Sequence, residues 1–214
     1  MDDLRLTGYG PSVYTRAVRV ALHDLKQPYS WADADPFDPQ GREVLRERHP
    51  FARVPVLEHG DAVIYETRAI LTYLDVALRP GGKSGALHAA RVAQVQGVAD
   101  AYGYWPMVRQ VYSHGAFRPA MGEAHDGGQV EEGLKASGAV LDALERIAVE
   151  GIVLNGREVG PADWHLAPMI DAFRQVEAGA AMLADRPALA SWFAVVSARE
   201  SMRSTEHRLE GGPA

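Results

Sequence analysis

Three short runs in the first third of the chain combine residue types that have a chemical use. Ser12 stands between a short apolar stretch, Leu4 and Leu6 closed by Gly8-Tyr9-Gly10-Pro11, and a helical period at Ala17/Val18, Ala21/Leu22 and Leu25. A hydroxyl at that junction faces whatever occupies the helix N-terminus, where free N–H groups and the dipole favour an anion. Serine in that position also simply caps helices, and spacing alone does not choose. Val54-Pro55, the second such run, heads a strand. Its proline is either an ordinary edge-strand residue or one in cis, and a cis bond would turn the Val54 N–H and C=O outward for an extended ligand. Glu66-Thr67 precedes another helix. Thr67 is expected to cap it, leaving Glu66 either poised to meet an ammonium group or merely solvated.

The elements that position these runs follow from the pattern. The strand at Leu4–Gly8 leads to the helix after Ser12; Pro28 to Trp31 reads as strand, Gly41 to Arg48 as a polar helix. Val54 to Leu57 and Ala62 to Tyr65 form a hairpin around Gly60-Asp61, and Ala69, Ile70, Tyr73, Leu74 and Ala77 give a further helix. The order is βαβαββα. Residues 79–86, Pro- and Gly-rich, are the expected linker, and the pattern beyond is all-helical. Val95, Val98, Tyr102, Trp105 and Tyr112 make one stripe with Pro106 predicting a kink; His114 to Gly128 reads as loop. Further helices are expected over Val130 to Ala148, Ala162 to Val176 and Pro187 to Ala198. The division is thus 1–78, a linker at 79–86, a helical domain at 87–200 and a polar tail at 201–214.

Composition removes several classes of function. The 214 residues include 22 Lys and Arg against 28 Asp and Glu, a formal charge of −6. Nine basic and twelve acidic residues lie in the stretch that ends at Leu78, and 13 and 16 follow it. Each part is therefore net acidic, and neither offers the basic face expected for nucleic acid or an anionic membrane. There is no cysteine, which excludes disulfides, thiolate metal sites and a cysteine nucleophile. Met1-Asp2-Asp3-Leu4 has neither a basic nor an apolar leader region, and no apolar run approaches the ~20 residues of a membrane span, so a cytoplasmic protein is expected.

The run from Gly8 to Leu22, with Ser12-Val13-Tyr14 inside it, resembles the start of a glutathione transferase of the serine type, nearest the theta and phi classes and bacterial-like. His49-Pro50-Phe51-Ala52-Arg53-Val54-Pro55-Val56-Leu57, followed by Tyr65-Glu66-Thr67-Arg68, resembles that family's glutathione-binding core. Gly160-Pro161-Ala162-Asp163 resembles its N-capping segment. The resemblance implies a thioredoxin-like α/β domain plus an all-helical domain, glutathione as co-substrate with no metal, and a homodimer in which Phe51 is a candidate contact. It implies that the Ser12 hydroxyl meets the glutathione sulfur, with Tyr9 and Tyr14 as alternatives. Val54 ahead of Pro55 would pair with the cysteinyl backbone, Glu66 and Thr67 would hold the γ-glutamyl end, and Arg53 or Gln40 the glycine carboxylate. Asp100 would reach the γ-glutamyl ammonium of a neighbouring subunit. A hydrophobic electrophile would lie against Tyr9, Tyr104, Trp105, Val108, Tyr112 and Phe117, though for each one taken separately helix core is the commoner role of an aromatic at this spacing.

Departures narrow the reading. Without cysteine the thiol–disulfide classes are excluded, and Ser12-Val13-Tyr14 replaces the Ser-Ser-Cys signature of the zeta class. Gly10-Pro11-Ser12-Val13-Tyr14 lacks the second glycine of a hydrolase elbow, and Gly8-Tyr9-Gly10 the third glycine of a dinucleotide fingerprint. The eight histidines are scattered and read as surface or capping residues, and Trp164 reads as core. The rival to a transferase is a non-catalytic binding or assembly module on the same fold. A glutathione-dependent dehalogenase or ether-cleaving enzyme would use the same thiolate.

Overall fold

The structure is a computed structural model that describes residues 3–79 and 85–207. Four strands, β1 (Leu4–Gly8), β2 (Tyr29–Asp33), β3 (Val56–His59) and β4 (Ala62–Tyr65), form one sheet in the order β2-β1-β3-β4. β1 and β2 run parallel through the crossover helix α1 (Val13–Asp24), while β3 pairs antiparallel with both β1 and β4. Side chains alternate across the sheet. Leu4, Leu6 and Leu57 therefore enter the main core with α1 and with α3 (Thr67–Leu78). Val56 points the other way and joins Ala34, Ala52 and Leu45 of α2 (Pro39–Arg46) in a small separate cluster. At the end of β1 a Cβ on Gly8 would collide with the Thr15 side chain and come 2.9 Å from Trp31. Only glycine lets the first turn of α1 lie that close to the strand.

The helical half begins with α4 (Ala86–Val98), which runs without interruption into a π-helical segment, Ala99–Phe117, and a final turn α5 (Arg118–Ala120). It continues with α6 (Gly127–Glu150), α7 (Pro161–Phe173), α8 (Glu177–Ala184), α9 (Pro187–Ser197) and α10 (Glu200–Ser204). α6 approaches the π segment at Gly133, where a Cβ would lie 2.7 Å from the Pro106 carbonyl. Every residue of α7 is buried. It is a central helix, apolar at most positions as burial on all sides requires. Its carboxylates are paired: Asp163 accepts from Gly160 N–H (2.9 Å) and Trp192 Nε1–H (2.6 Å), and Asp171 meets Arg16 of α1 (2.6 Å). One contiguous core runs from Leu6 and Leu22 through Met107 and Leu141 to Trp164 and Phe173, so the two halves share an interior.

Several sequence expectations change. The stripe Val98, Tyr102, Trp105 assumes 3.6 residues per turn. From Ala99 the i→i+5 bonding makes each turn roughly four and a half residues, so those positions drift apart, and Tyr102 and Trp105 are 67% and 62% exposed. Pro106 does not break the helix. His114 to Gly128 is helical as far as Ala120, not loop throughout. α8 and α10 are additions to the expected helices; α10 occupies the start of the expected tail because Ser201, Met202 and Thr205 are buried. Most of the expected linker, residues 80–84, and the end of the tail, residues 208–214, lie outside the described residues. No helix among the described residues is long and apolar enough to cross a membrane.

Candidate active site

A cleft of about 1590 Å3 opens between the two halves. Its α/β wall is built by two helix N-termini and one loop. Ser12 is the N-cap of α1, with its Oγ accepting from Thr15 N–H (3.2 Å) while Tyr9 N–H donates to Thr15 Oγ1 (3.3 Å). A hydroxyl has one donor and two acceptor positions. Capping uses an acceptor, so the Ser12 O–H remains able to donate into the cleft that Ser12 lines. The cap reading and the site reading are compatible.

The Val54-Pro55 bond is cis. The sheet ladder begins only at Val56, so the Val54 N–H and C=O take no part in it, and Val54 and Arg53 line the cleft. Glu66 is the N-cap of α3 at φ +67°, a left-handed conformation that a non-glycine residue holds at a cost of about 1–3 kcal/mol and that gathers at functional sites. Thr67 is the first helical residue and makes no capping bond, contrary to expectation; the positive φ at Glu66 moves the cap one residue earlier. The α3 N-terminus has no side-chain cap, and its residues Thr67, Arg68 and Ala69 line the cleft with backbone donors unclaimed by a cap.

His49 is 2% exposed beneath this corner, its Nδ1 accepting from Phe51 N–H (3.1 Å) and its Nε2 3.9 Å from Glu66 Oε1. Burial lowers its pKa below the ordinary 6.5, Glu66 opposes that shift and Arg53 adds to it. A histidine with a depressed folded-state pKa contributes stability that is present above the unfolded pKa of ~6.5 and lost as pH falls from there through the lower folded value. The denaturation midpoint is therefore expected to decline below about pH 6.5, and His49→Gln, whose amide oxygen can accept the Phe51 N–H, should flatten that decline. An equal pH slope in wild type and variant, measured by urea denaturation, would remove His49 from this role.

The helical wall is a product of the π turn. Asp100, Tyr104, Arg109, Ser113 and Arg118 all line the cleft at successive spacings of four, five, four and five residues, which places them along one face of a helix with roughly four and a half residues per turn. Val108, Tyr112 and Phe117 form the neighbouring row. An α-helix would scatter these positions around its circumference. Burial pushes the Tyr112 hydroxyl up to about 12.

At the inner end Asp100 joins the halves. His165 of α7, 1% exposed, donates Nε2–H to Asp100 Oδ1 at 2.7 Å, and the Tyr14 hydroxyl lies close to the same carboxylate. Tyr14 stacks 4.9 Å from Tyr104. Burial first, then Asp100, raises the Tyr14 pKa far above 10, which keeps its hydroxyl protonated. Tyr9 is likewise raised, by burial and by Asp35, Glu123 and Asp33.

Of the residues singled out in the sequence, Ser12, Tyr9, Tyr14, Arg53, Val54, Glu66, Thr67, Asp100, Tyr104, Val108, Tyr112 and Phe117 line this one cleft. Pro55 lies just behind it, buried. Gln40 is exposed on α2 and does not line the cleft; Trp105 does not either, because the wide helical turn carries it to the outer surface. His49 and His165 are buried in the site's framework rather than on the surface. His49 has a signal in the sequence, its place one residue before Pro50 in the run leading to Val54; His165 has none. Trp164 is core, as expected, with its Nε1–H on Asp24 Oδ2 at 2.8 Å. Among the described residues no group of three or more His, Asp or Glu could hold a metal ion.

A thioredoxin-like sheet domain docked on a helical domain, with a cleft between a cis-proline loop and two helix N-termini, defines the glutathione transferase fold. Residues 6–80 match the family described as glutathione S-transferase, N-terminal domain. Glutathione S-transferase F7 of Arabidopsis thaliana is 25% identical over 209 residues, covering 95% of this chain and 99% of that protein. The apo structure of a glutathione S-transferase III superposes with a TM-score of 0.82 over 99% of each chain at 23% identity. Glutathione S-transferase I from maize, solved with an atrazine glutathione conjugate, gives 0.79 at 21% identity over 95% of this chain and 96% of that one.

Proposed function

We propose that the chain is a glutathione S-transferase that holds glutathione along the α/β wall and activates its thiol for attack on a hydrophobic electrophile. The observation that carries this reading is the convergence, in one cleft, of Ser12 on the α1 N-terminus, Val54 beside a cis-proline, and the uncapped α3 N-terminus behind Glu66. A γ-glutamyl tripeptide with a central thiol needs its γ-glutamyl end, its backbone and its sulfur held, and these are three such places. The γ-glutamyl carboxylate meets the N–H groups at Thr67, its ammonium meets Glu66, and the cysteinyl backbone pairs with Val54; Asp100, expected from the sequence to serve a neighbouring subunit, faces this chain's own cleft instead. Arg53 receives the glycine carboxylate. The sulfur then lies at Ser12, with Tyr9 the second candidate donor; Tyr14, beside Asp100, is the third.

The reaction forms a carbon–sulfur bond and expels a leaving group or shifts electrons onto the electrophile. The protein ionises the thiol and aligns the two partners. The serine-type reading, nearest theta and phi and bacterial-like, rests on the Gly8–Leu22 run and the place of Ser12. The expected domain limits, 1–78 and 87–200, and a cytoplasmic homodimer belong to the same reading; Phe51, 70% exposed beside the Val54 loop, supports such a contact.

The test is calorimetric binding of glutathione together with turnover of an activated aryl chloride. Binding that is lost when Glu66→Ala opens the γ-glutamyl corner, with chloride release dependent on glutathione, is the expected result. Failure of wild type to bind glutathione would overturn the reading.

A further inference from the structure

The outer half of the cleft contains charge that glutathione, as placed above, does not use. Arg109 and Arg118 stand two π turns apart on the stripe that also carries Ser113, and all three line the cleft. Several other arginines of the helical half are paired, Arg91 with Glu150, Arg174 with Asp171, Arg186 with Asp142 and Arg199 with Asp24, whereas Arg146 and Arg157, outside the cleft, are not paired among the described residues. Among the described residues Arg109 and Arg118 form no ion pair. Arg109 lies over the Phe37 ring, 5.6 Å from its centroid, and Phe37 in turn meets Tyr9 edge to face at 6.0 Å. Arg118 donates one bond, from Nη1 to Ala124 O at 3.0 Å, and its remaining N–H groups are uncommitted.

The groups around this pair do not neutralise it. His114, on the same segment, accepts Asp126 N–H at its Nδ1 (3.0 Å), and burial, then Arg118, lowers its pKa against the opposing pull of Asp126. Of the cleft's acids on that side, Asp35 accepts Phe37 N–H at 2.7 Å, and neither Asp35 nor Glu123 forms an ion pair with Arg109 or Arg118. A pair of guanidiniums beside two aromatic plates matches a planar anion attached to an apolar body, because the guanidinium fork pairs with a carboxylate bidentately and the rings receive the rest.

We propose that the second substrate of this enzyme is an aryl or alkyl electrophile bearing a carboxylate, and that Arg109 and Arg118 are the residues that select it. The inference rests on the transferase reading for the identity of the site. Selection acts on binding and alignment of the electrophile, so it appears in kcat/KM for the electrophile and leaves ionisation of the thiol to Ser12.

The experiment compares 4-chloro-3,5-dinitrobenzoate with its methyl ester at saturating glutathione. Wild type should favour the acid, and the double variant Arg109→Gln/Arg118→Gln should lower the acid-to-ester ratio of kcat/KM by about tenfold or more, the size of losing one charge-assisted hydrogen bond. Arg109→Lys/Arg118→Lys should recover part of the ratio, and added salt should shrink it. A ratio that is the same in wild type and the glutamine variant overturns the proposal. Calorimetric binding of unreactive 3,5-dinitrobenzoate and its methyl ester reads the same preference without turnover. An acid preference lost in the glutamine variant upholds the arginine pair even if glutathione fails to bind, and its absence sinks the pair even if glutathione binds normally.

Discussion

Glutathione bound to Ser12→Ala is expected to keep its thiol proton up to nearly the pH at which free glutathione loses it. A free thiol ionises near pH 8.5, and lowering that by two units represents ~2.7 kcal/mol of differential stabilisation. A hydrogen bond to an ion contributes about 1.5–3 kcal/mol, and a helix N-terminus up to ~2. Ser12 sits where both act, and its O–H is left over by the capping bond to Thr15 N–H. Deleting the hydroxyl should therefore lower turnover at pH 6.5 by roughly 10- to 100-fold while the α1 dipole retains part of the effect. The same change removes an N-cap, at about 1 kcal/mol of stability. Ser12→Thr separates the two, since it keeps a hydroxyl and still caps. The measurement is thiolate absorbance of bound glutathione against pH in the three proteins. A low thiol pKa that persists in Ser12→Ala assigns the donor to Tyr9 or to the backbone N–H groups of α1, and retires Ser12 as activator.

The largest effect on stability is expected from Asp171→Leu. Its carboxylate receives Arg16 Nη1 at 2.6 Å and Arg174 Nε at 2.9 Å, and the Arg16 and Asp171 side chains are only 9% and 8% exposed. Arg16 also donates Nη2–H to Met202 O at 3.0 Å, so one ion pair ties α1 of the sheet domain to α7 and α10 of the helical domain. Removing the carboxylate leaves a buried guanidinium with one carbonyl partner and an Nε that already lacks one. Breaking a buried pair in this way costs roughly 3–5 kcal/mol. The double variant Arg16→Met/Asp171→Leu should recover most of the loss, because an apolar pair of similar volume carries no desolvation penalty. Urea denaturation of the three variants makes the comparison. A loss below about 1 kcal/mol for Asp171→Leu would mean that water reaches the pair and the halves are joined by apolar packing alone.

Much of the α/β half was legible because its signals are local. Alternation marks β3 and β4, Gly60-Asp61 marks their turn, and the 3.6-residue period after Ser12 marks α1. A proline at the head of a strand marks the loop in the same way, but spacing does not choose cis from trans, and the cis bond is a finding of the structure. The helical half was less legible for a physical reason. A π turn has no composition of its own, and reading Ala99–Phe117 at 3.6 residues per turn puts Trp105 in the cleft and leaves Arg109, Ser113 and Arg118 unnoticed.

The residues themselves, read one after another, determined the order of elements, the absence of cysteine chemistry, and the three runs around Ser12, Val54-Pro55 and Glu66-Thr67 that bear the proposed chemistry. Tertiary structure decided what those runs face. It brought Asp100 and His165, 65 positions apart, onto Tyr14, and it set the cap of α3 at Glu66 through a positive φ. It also chose which side of the long helix lines the cleft. Those outcomes depend on backbone pitch and on contacts between distant segments, and neither leaves a mark in the spacing of residues along the chain.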